Sequence, residues 1–426
     1  MVVRFLTVLL LFSTAVWAAP QAKSPRKDPK FWKRVDASID KGVDWLLAQQ
    51  QPNGRWTAFE GERGAVYELG MQSICMLACI KGGVPEDDPK MRKAWRALGV
   101  LYDKQKNNLH TYEVGTTLMV LDARVTTKPR KRHGKRGKKP KGKRELPAEW
   151  KTRAKSLGVW LGLKQKPAGM WRYPNGGVDL SNTQYAALGL WSAHRLGIDL
   201  DKGVVRRMME EVLKRQQPKG LRVPFYPDPE GTIRRRQKKG AESRSGSVID
   251  ARGWRYAPPE STKVKGKVIE RVFPYSGSMT SAGVACLAIG REILGKNDVW
   301  LGKQDAKVRR AMWEGLAWLQ ANWDVKDNPG QPANWVFYWL YGLERAGQLC
   351  GVDYIGLRDW FAEGAIRLMD DQRENGSWPL KPRRMAPGSG DARWEKDQLD
   401  TVFAILFLTR STPSLKPTPP TISGGK

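Results

Sequence analysis

Residues 41–56 read KGVDWLLAQQQPNGRW and contain a motif that recurs along the chain. It reads as an amphipathic helix that ends in Gln, followed by a short polar turn with Gly and then by Trp. The same arrangement returns in SLGVWLGLKQKPAGMW, residues 156–171, and in EGAIRLMDDQRENGSW, residues 363–378. VLKRQQPKG, residues 212–220, begins a further copy, and we assign its displaced Trp to Trp254. Self-similarity of this kind is the signature of a repeat architecture.

A second and more apolar helix follows each unit. These helices are predicted at residues 67–80, 112–123, 180–191, 277–290, 334–347 and 398–409. An amphipathic helix has a solvent-exposed face and therefore lies in an outer layer, whereas a helix that is apolar on all sides is covered by protein on both faces. About six such pairs predict an all-α fold, a double-layered α/α toroid. An open solenoid of helix pairs is the alternative, but the last pair, ending at Arg410, is as apolar as the middle ones.

The repeat resembles the QW motif of the squalene cyclase and protein prenyltransferase superfamily. The matching positions are Lys41-Gly42, Trp45-Leu46, Gln50, Gly54 and Trp56, then Trp160-Leu161, Gln165, Gly169 and Trp171, then Gln372, Gly376 and Trp378. The resemblance implies a toroid over residues 38–410 and is much less specific for activity. The Gln amide is suited to backbone groups left open at a helix end, and the Trp to stacking over the next turn, so we expect both to be structural.

In the cyclases of this superfamily, an Asp-x-Asp-Asp-Thr segment supplies the acid that protonates an alkene or epoxide. Here DLSNT, residues 179–183, stands in that place, with Ser181 in the middle and Asn182 instead of the last Asp. DQLDT, residues 397–401, keeps the outer two acids and has Leu399 in the middle. The resemblance to the prenyltransferases implies zinc held by Asp, Cys and His, and the sequence shows no matching set. We therefore predict neither a metal site nor a cofactor.

The first turns of the inner helices are predicted to meet at one mouth of a central cavity. The candidate catalytic acids there are Asp179, Asp397 and Asp400, because burial and hydrogen bonds hold such carboxyls protonated. Helix N-capping is the alternative for Asp179 and Asp397, and Glu344 and Arg345 are expected to pair with neighbouring helices. The predicted ligand-binding residues of the cavity are Glu68, Gln72, Tyr112, Glu113, Asn182, Asn334, Trp335 and Tyr338.

Charge and the N-terminus bear on location. The formal net charge is +31, and residues 128–144 hold eleven Lys or Arg and no acid. Like charges at that density repel, which predicts a disordered insert whose partner is an anionic envelope surface. The N-terminus has an early cation, a short apolar run and small residues near Ala18, the pattern of a secretory signal over residues 1–18. The chain is thus predicted to be periplasmic or secreted, which argues against nucleic acid as a physiological partner.

The remaining boundaries follow from composition. Residues 19–37 are predicted to be a linker, residues 218–273 a long insert in the toroid, and residues 411–426 a disordered tail. Within the insert, RVPFYPDP at residues 222–229 is either a lid over one mouth or a surface excursion. The four cysteines show no paired spacing and are expected to be buried free thiols.

Three kinds of function are compatible with these features. The first is an exported toroid that binds a hydrophobic or amphipathic ligand such as an isoprenoid, and the second is an envelope-associated scaffold. The alternative is an enzyme of the same fold. It would be a terpenoid cyclase-like isomerase with Asp400 or Asp179 as the acid, or a hydrolase or lyase of an acidic polysaccharide with two carboxylates across a cleft. The oligomeric state is left open.

Overall fold

The computed structural model describes residues 24–60, 66–136, 144–174, 176–226, 229–230, 232–234, 248–264, 267–332, 335–378 and 396–415. The predicted signal peptide and residues 416–426 of the predicted tail lie outside these ranges. Twelve α-helices in these ranges alternate between an outer and an inner layer, and residues 229–230 and 232–234 are also helical. None of the helices in these ranges is both long enough and apolar enough to cross a membrane.

The two layers differ in the character of their helices. The outer helices are α1 (Pro29–Ala48), α3 (Pro89–Gln105), α5 (Ala148–Lys164), α7 (Lys202–Lys214), α9 (Val299–Ala321) and α11 (Trp360–Asp371). The inner helices are α2 (Glu68–Lys81), α4 (Thr111–Thr126), α6 (Leu180–Arg195), α8 (Gly277–Leu294), α10 (Val336–Leu349) and α12 (Lys396–Leu408). Every residue of α10 is buried, as expected for a helix covered on both sides.

The inner helices form a closed ring. Each packs against the next in chain order, from α2 through α4, α6, α8 and α10 to α12, and α12 packs against α2. The outer helix α1 likewise contacts both α11 and α12 at the far end of the chain. The predicted six-paired α/α toroid is confirmed, and the open solenoid is excluded.

The repeated motif fastens one outer helix to the next. The side-chain amide of Gln165 donates to the carbonyl of Gly169 in its own turn and to that of Val204 on α7, at 2.9 Å each. The indole N–H of Trp171 donates to the carbonyl of Leu161 at 2.9 Å. The indole bond satisfies a carbonyl that the end of α5 would otherwise leave open, and the two bonds of Gln165 tie the turn to α7.

Other copies repeat this arrangement. The side-chain amide of Gln50 donates to the carbonyls of Gly54 and Lys90, that of Gln216 to those of Arg252 and Ala311, and that of Gln372 to those of Gly376 and Ser38. The indoles of Trp56, Trp254 and Trp378 donate to the carbonyls of Leu46, Val212 and Leu368. Trp254 thus takes the place predicted for the displaced Trp. Since Ser38 belongs to α1, the last copy closes the outer layer. Gly376 has a φ of +94°, and a Cβ there would lie 2.4 Å from the carbonyl oxygen of Lys41, so only glycine permits this approach.

The first outer helix starts earlier than predicted. Residues 19–37 were expected to be a linker, but α1 begins at Pro29, and the carboxylate of Asp28 caps it by accepting the N–H of Lys30 at 2.8 Å. Phe31 is buried in the core. The cap and the proline at the first helical position favour this start.

The predicted disorder of the basic insert is wrong for its described part. Strands β3 (Lys131–Arg132) and β4 (Lys135–Arg136) form an antiparallel hairpin, while residues 137–143 lie outside the described ranges. The two short hairpin strands follow directly from the end of α4.

Acidic residues of α1 hold this hairpin in place. Asp36, Asp40 and Asp44 are spaced one helical turn apart and therefore share a face. Arg130 donates to the carboxylates of Asp36 and Asp40 at 2.7 Å each, and Arg132 pairs with Asp44. The counter-charge that the insert lacks in its own sequence is thus supplied by a distant helix.

Three further two-stranded antiparallel sheets lie in the connections between helices. Strand β1 (Phe59–Glu60) pairs with β2 (Val66–Tyr67), β5 (Leu221–Pro224) with β6 (Val248–Ala251), and β7 (Glu260–Val264) with β8 (Lys267–Arg271). After β5, Phe225 packs edge-on against Trp313 of the outer helix α9, with ring centroids 5.2 Å apart. Phe225 thus lies against the outer layer, which does not support the lid hypothesis.

The predicted disordered tail is ordered where it begins. Ser411 and Thr412 are buried, and the N–H of Leu415 donates to the carbonyl of Gln348 at 3.1 Å. The cause is Glu344 on α10, whose carboxylate accepts the N–H of Thr412 at 2.9 Å and its hydroxyl at 2.8 Å.

Candidate active site at the mouth of the ring

Tyrosines gather where the N-terminal ends of the inner helices meet. We call this region the mouth and define it by Tyr67, Tyr112, Tyr173, Tyr185, Tyr256 and Tyr338. The ring of Tyr112 lies 6.1 Å from that of Tyr67 and 4.2 Å from that of Tyr185. The hydroxyl of Tyr112 also donates to that of Tyr185 at 3.3 Å. The mouth is therefore a continuous aromatic surface with polar tips.

Asp179 is buried in the mouth at the start of α6, with 2% of its surface exposed. Its Oδ1 accepts the backbone N–H of Asn182 at 2.7 Å, and its Oδ2 accepts the side-chain amide of Asn182 at 3.0 Å. The hydroxyl of Tyr256 is a further hydrogen-bond partner. Burial nevertheless raises the pKa of Asp179 to about 7, although these bonds favour the charged form. Asp179 is thus a helix cap and also a carboxyl that changes charge near neutral pH.

Glu113 is the second buried carboxyl of the mouth. It lies in the first turn of α4 and is only 1% exposed. Its Cγ lies beside Gly70, in the first turn of α2. The N–H groups of Leu69, Gly70 and His110 are near enough to favour the charged form, yet neither oxygen has a partner in hydrogen-bond geometry among the described residues. Burial dominates and raises the pKa of Glu113 to about 7.

Tyr67 connects the two carboxyls. Its pKa is raised to about 12, first by burial and then by the charges of Glu113 and Asp179. Both carboxyls therefore lie close enough to Tyr67 to act on its hydroxyl electrostatically. The mouth thus combines two proton-exchanging carboxyls with a neutral phenol.

Ser181, which stands at the middle position of the cyclase-like segment, faces the interior of the ring. Its Oγ lies 3.1 Å from the hydroxyl of Tyr338, and the side-chain amide of Gln184 donates to the same hydroxyl at 2.9 Å. The position that holds the acid in the cyclases is thus well placed here, but it carries a hydroxyl that cannot protonate a hydrocarbon.

Four equivalent polar residues of the inner helices serve the repeat rather than the mouth. The side-chain oxygens of Gln72, Thr183, Thr280 and Thr401 accept the backbone N–H of Trp56, Trp171, Trp254 and Trp378 at 3.0–3.3 Å. The threonines of DLSNT and DQLDT therefore occupy equivalent positions. Gln72 also donates to the carbonyls of Gly54 and Ala94, which places it against the outer layer instead of in the cavity.

The other predicted site residues are scattered. Glu68 points toward α3, where its carboxylate pairs with Lys104 at 2.8 Å. Trp335 lies at the rim of the mouth, with its ring 6.4 Å from that of Tyr338, and Asp400 is buried on α12. Asn334 and the side chain of Asp397 lie outside the described residues.

Sequence analysis missed the tyrosines at positions 67, 173, 185 and 256, and it misjudged Arg345. The guanidinium of Arg345 forms no salt bridge among the described residues. It lies 4.0 Å from the ring centroid of Tyr341, and farther from those of Tyr185 on α6 and Tyr338, at 5.7 and 5.8 Å. A signal was present, because Glu344-Arg345 is the one charged pair inside the otherwise uncharged segment 335–349. Charge within a helix that is apolar all round requires a specific reason.

No protein-family model and no curated protein matches the chain. Solved structures are similar to it along their whole length. One is a variant of the type II terpene cyclase MstE from Scytonema in complex with geranylgeranyl dihydroxybenzoate, with a TM-score of 0.52 and 13% identity, covering 90% of this chain and 98% of that one.

Two hydrolases are similar to the same extent. The GH76A alpha-1,6-mannanase from Salegentibacter sp. HEL1_6 has a TM-score of 0.53 at 9% identity and covers 89% of this chain and 98% of that one. An unsaturated glucuronyl hydrolase specific for heparin has a TM-score of 0.52 at 13% identity, with coverages of 89% and 97%. At such identities the likeness shows the fold alone. The chain is an α/α toroid whose fold is similar to that of the terpene cyclase and of both hydrolases.

Proposed function

We propose that this toroid is an enzyme that transfers a proton to a small molecule bound in the mouth, with Asp179 as the proton donor. The observation that carries the proposal is the presence of two buried carboxyls, Asp179 and Glu113, each with a pKa of about 7 and each close enough to Tyr67 to raise its pKa. A catalytic acid works best when its pKa lies near the working pH.

The surroundings of Asp179 favour this role over that of a cap alone. Asn182 fixes both carboxylate oxygens, so the proton is presented in one direction. An ordinary capping Asp is solvated and has a low pKa, as its charge is stabilised by the helix N-terminus. Since Ser181 replaces the acid of the cyclase segment, the proton must come from a neighbouring position, and Asp179 is the nearest carboxyl along α6.

The lining of the mouth restricts the substrate class. Aromatic faces stabilise developing positive charge, and both alkene protonation and glycosidic cleavage pass through cationic transition states. The substrate is therefore a small molecule with an apolar or sugar-ring body, which agrees with the hydrophobic or amphipathic ligand expected from the sequence. A ligand-binding toroid without chemistry shares the same mouth and is the second candidate.

The test is turnover by the purified full-length protein at about pH 6. The substrates are geranylgeranyl dihydroxybenzoate, α-1,6-mannotriose and unsaturated heparin disaccharides, and mass spectrometry distinguishes an isomer of unchanged mass from a product that has gained water. We expect Asp179→Asn to lower turnover by about 100- to 10,000-fold. Wild-type turnover is expected to fall as the pH rises through about 7, because Asp179 then loses its proton.

Asp201 offers a matched control. Its carboxylate caps the outer helix α7 by accepting the N–H of Gly203 at 2.8 Å, and it is exposed. Asp201→Asn is expected to leave turnover unchanged. Equal turnover in Asp179→Asn and the wild type would rule out Asp179 as the acid, and no turnover of any of the three substrates would favour the binding module.

We further propose that the protein works outside the cytoplasm and touches an anionic envelope surface. The export pattern of residues 1–18 supports the first part. For the second, Lys128 and Lys131 are exposed beside the hairpin, while Arg130 and Arg132 are engaged by α1. Recovery of the intact chain, with its first residues uncleaved, from the cytoplasmic fraction would contradict export.

A further inference from the structure

Arg345 is a buried cation that interacts with the hydroxyl of Tyr341 but lacks a partner in strict hydrogen-bond geometry among the described residues. It lies two helical turns beyond Tyr338 on α10 and is fully buried. None of its three guanidinium nitrogens has a hydrogen-bond partner in the part of the chain that the structure describes. A guanidinium stays protonated at every accessible pH, and burying a charge without a partner is strongly unfavourable. The burial of the Arg345 charge therefore requires a physical explanation.

The neighbouring groups do not supply a counter-charge near neutral pH. Glu344 is turned toward Thr412, and burial raises its pKa to about 8. Cys286 on α8 is kept a neutral thiol because burial raises its pKa to about 12. The tyrosine rings around Arg345 offset part of this cost through cation–π contacts, and the hydroxyl of Tyr341 interacts with the guanidinium. No guanidinium nitrogen has a partner of good geometry among the described residues.

We propose that Arg345 forms an anion subsite at the inner end of the mouth, which holds an oxyanion carried by the substrate. The planar guanidinium fork matches a carboxylate, phosphate or sulfate group. Tyr185 and Tyr338 have nearly parallel rings 6.4 Å apart, and both lie within 6 Å of the guanidinium. The anion reaches Arg345 when one of these rings turns away.

This subsite rests on the proposed function and narrows its substrate class. The substrate has an anionic end bound by Arg345, and an apolar or sugar-ring body that extends toward Asp179 and Tyr67. The carboxyl of Asp179 delivers its proton to that body, while the anionic end fixes the register. Two separate residues thus perform binding and proton transfer, so the two proposals are separable by experiment.

The test compares phenylacetate with its neutral amide, phenylacetamide, by calorimetric titration of the full-length protein at constant ionic strength. We expect the wild type to bind phenylacetate, and Arg345→Met to bind it at least about ten-fold more weakly, while phenylacetamide does not distinguish the two proteins. Arg153→Met is the control, because Arg153 also lies over aromatic rings, those of Tyr102 and Trp150, but in the outer layer. It is expected to bind phenylacetate like the wild type.

Stability separates this role from a structural one. Without ligand, Arg345→Met is expected to melt at or above the wild-type temperature, because the variant removes an uncompensated charge. A folded variant that binds phenylacetate as tightly as the wild type would overturn the subsite, and so would a folded variant that melts far below the wild type. If the variant does not fold, bromide soaked into wild-type crystals provides the answer: a peak at the guanidinium supports the subsite, and bromide found only elsewhere refutes it.

The outcomes also separate the two proposals. Asp179→Asn is expected to lower turnover by about 100- to 10,000-fold and to keep the affinity for phenylacetate. Turnover without selective binding of phenylacetate would leave the enzyme proposal standing and remove the subsite. Selective binding of phenylacetate without turnover would support the subsite and contradict the enzyme proposal.

Discussion

The free energy of unfolding is expected to fall as the pH rises from about 4 to about 7, and Asp179→Asn is expected to remove a large part of that fall. The pKa of Asp179 is 3.8 in an ordinary environment and about 7 in the folded protein. Between these values the folded state binds more protons than the unfolded state, so stability decreases with pH. Because one pH unit between the two pKa values corresponds to about 1.4 kcal/mol, the contribution of Asp179 is on the order of 4 kcal/mol.

The direction of this effect is the distinguishing feature. A raised carboxyl pKa gives stability that is fully present below the unfolded pKa and is lost as the pH passes the folded pKa. Asp298 provides the opposite case, because its hydrogen bond to Arg206 lowers its pKa below the ordinary 3.8. Its stabilising contribution is lost only in acid, so the cost of Asp298→Asn is expected to be the same at every pH between about 5 and about 7. Urea unfolding at several pH values measures the free energy of unfolding of both variants and of the wild type. Subtracting the wild-type values from those of a variant cancels the contributions of other titrating groups such as Glu344. A pH-independent difference between Asp179→Asn and the wild type would show that Asp179 is an ordinary ionised cap.

Trp378→Ala is expected to cost about 3–5 kcal/mol of the free energy of unfolding, the range for large aromatic residues in cores. The indole is fully buried and donates to the carbonyl of Leu368 at 2.7 Å. It also packs on α1, where a Cβ on Gly42 would lie 2.5 Å from the ring. Because this copy of the motif closes the ring, the loss is expected to extend to the first helix of the chain. Urea unfolding measures the cost, and hydrogen exchange of the α1 amides measures its reach.

Two variants serve as controls for ring closure. Trp171→Ala removes the equivalent indole between α5 and α7 and is expected to cost as much, with less acceleration of exchange in α1. Trp160→Ala changes a partly exposed residue of α5 and is expected to cost much less. If Trp378→Ala and Trp171→Ala accelerate exchange in α1 equally, the last copy has no special role in closing the ring.

The fold was predictable because the same short motif recurs along the sequence and each copy specifies its contacts locally. Gln165 and Trp171 are separated by the same short turn as their counterparts, and each turn makes the same two contacts. Even the displaced Trp254 follows from counting copies. The hairpin beside α1 was not predictable in this way, because Asp36, Asp40 and Asp44 are almost a hundred residues away, and the sequence of the insert alone shows only repulsion.

The site was predictable to a smaller degree. Asp179, Glu113, Asn182, Tyr112 and Tyr338 do come together at the mouth, because the start of an inner helix fixes their height in the ring. The direction in which a side chain points at that level depends on the neighbouring helices. The prediction that it points into the cavity was wrong for two residues. Glu68 turns toward Lys104 and Gln72 toward the outer layer. Glu344 and Arg345 were both expected to pair with neighbouring helices, but Glu344 binds Thr412 and Arg345 lies over the ring of Tyr341.

The protonation state of Asp179 tests the central claim most directly. The measurement is the infrared difference spectrum between the wild type and Asp179→Asn, recorded from about pH 5 to about pH 9. We expect a carbonyl band of a protonated carboxyl that is present in the wild type, absent in the variant, and lost with a midpoint near 7. If that band is already absent at the acidic end of the range, Asp179 is ionised throughout and serves only as the cap of α6.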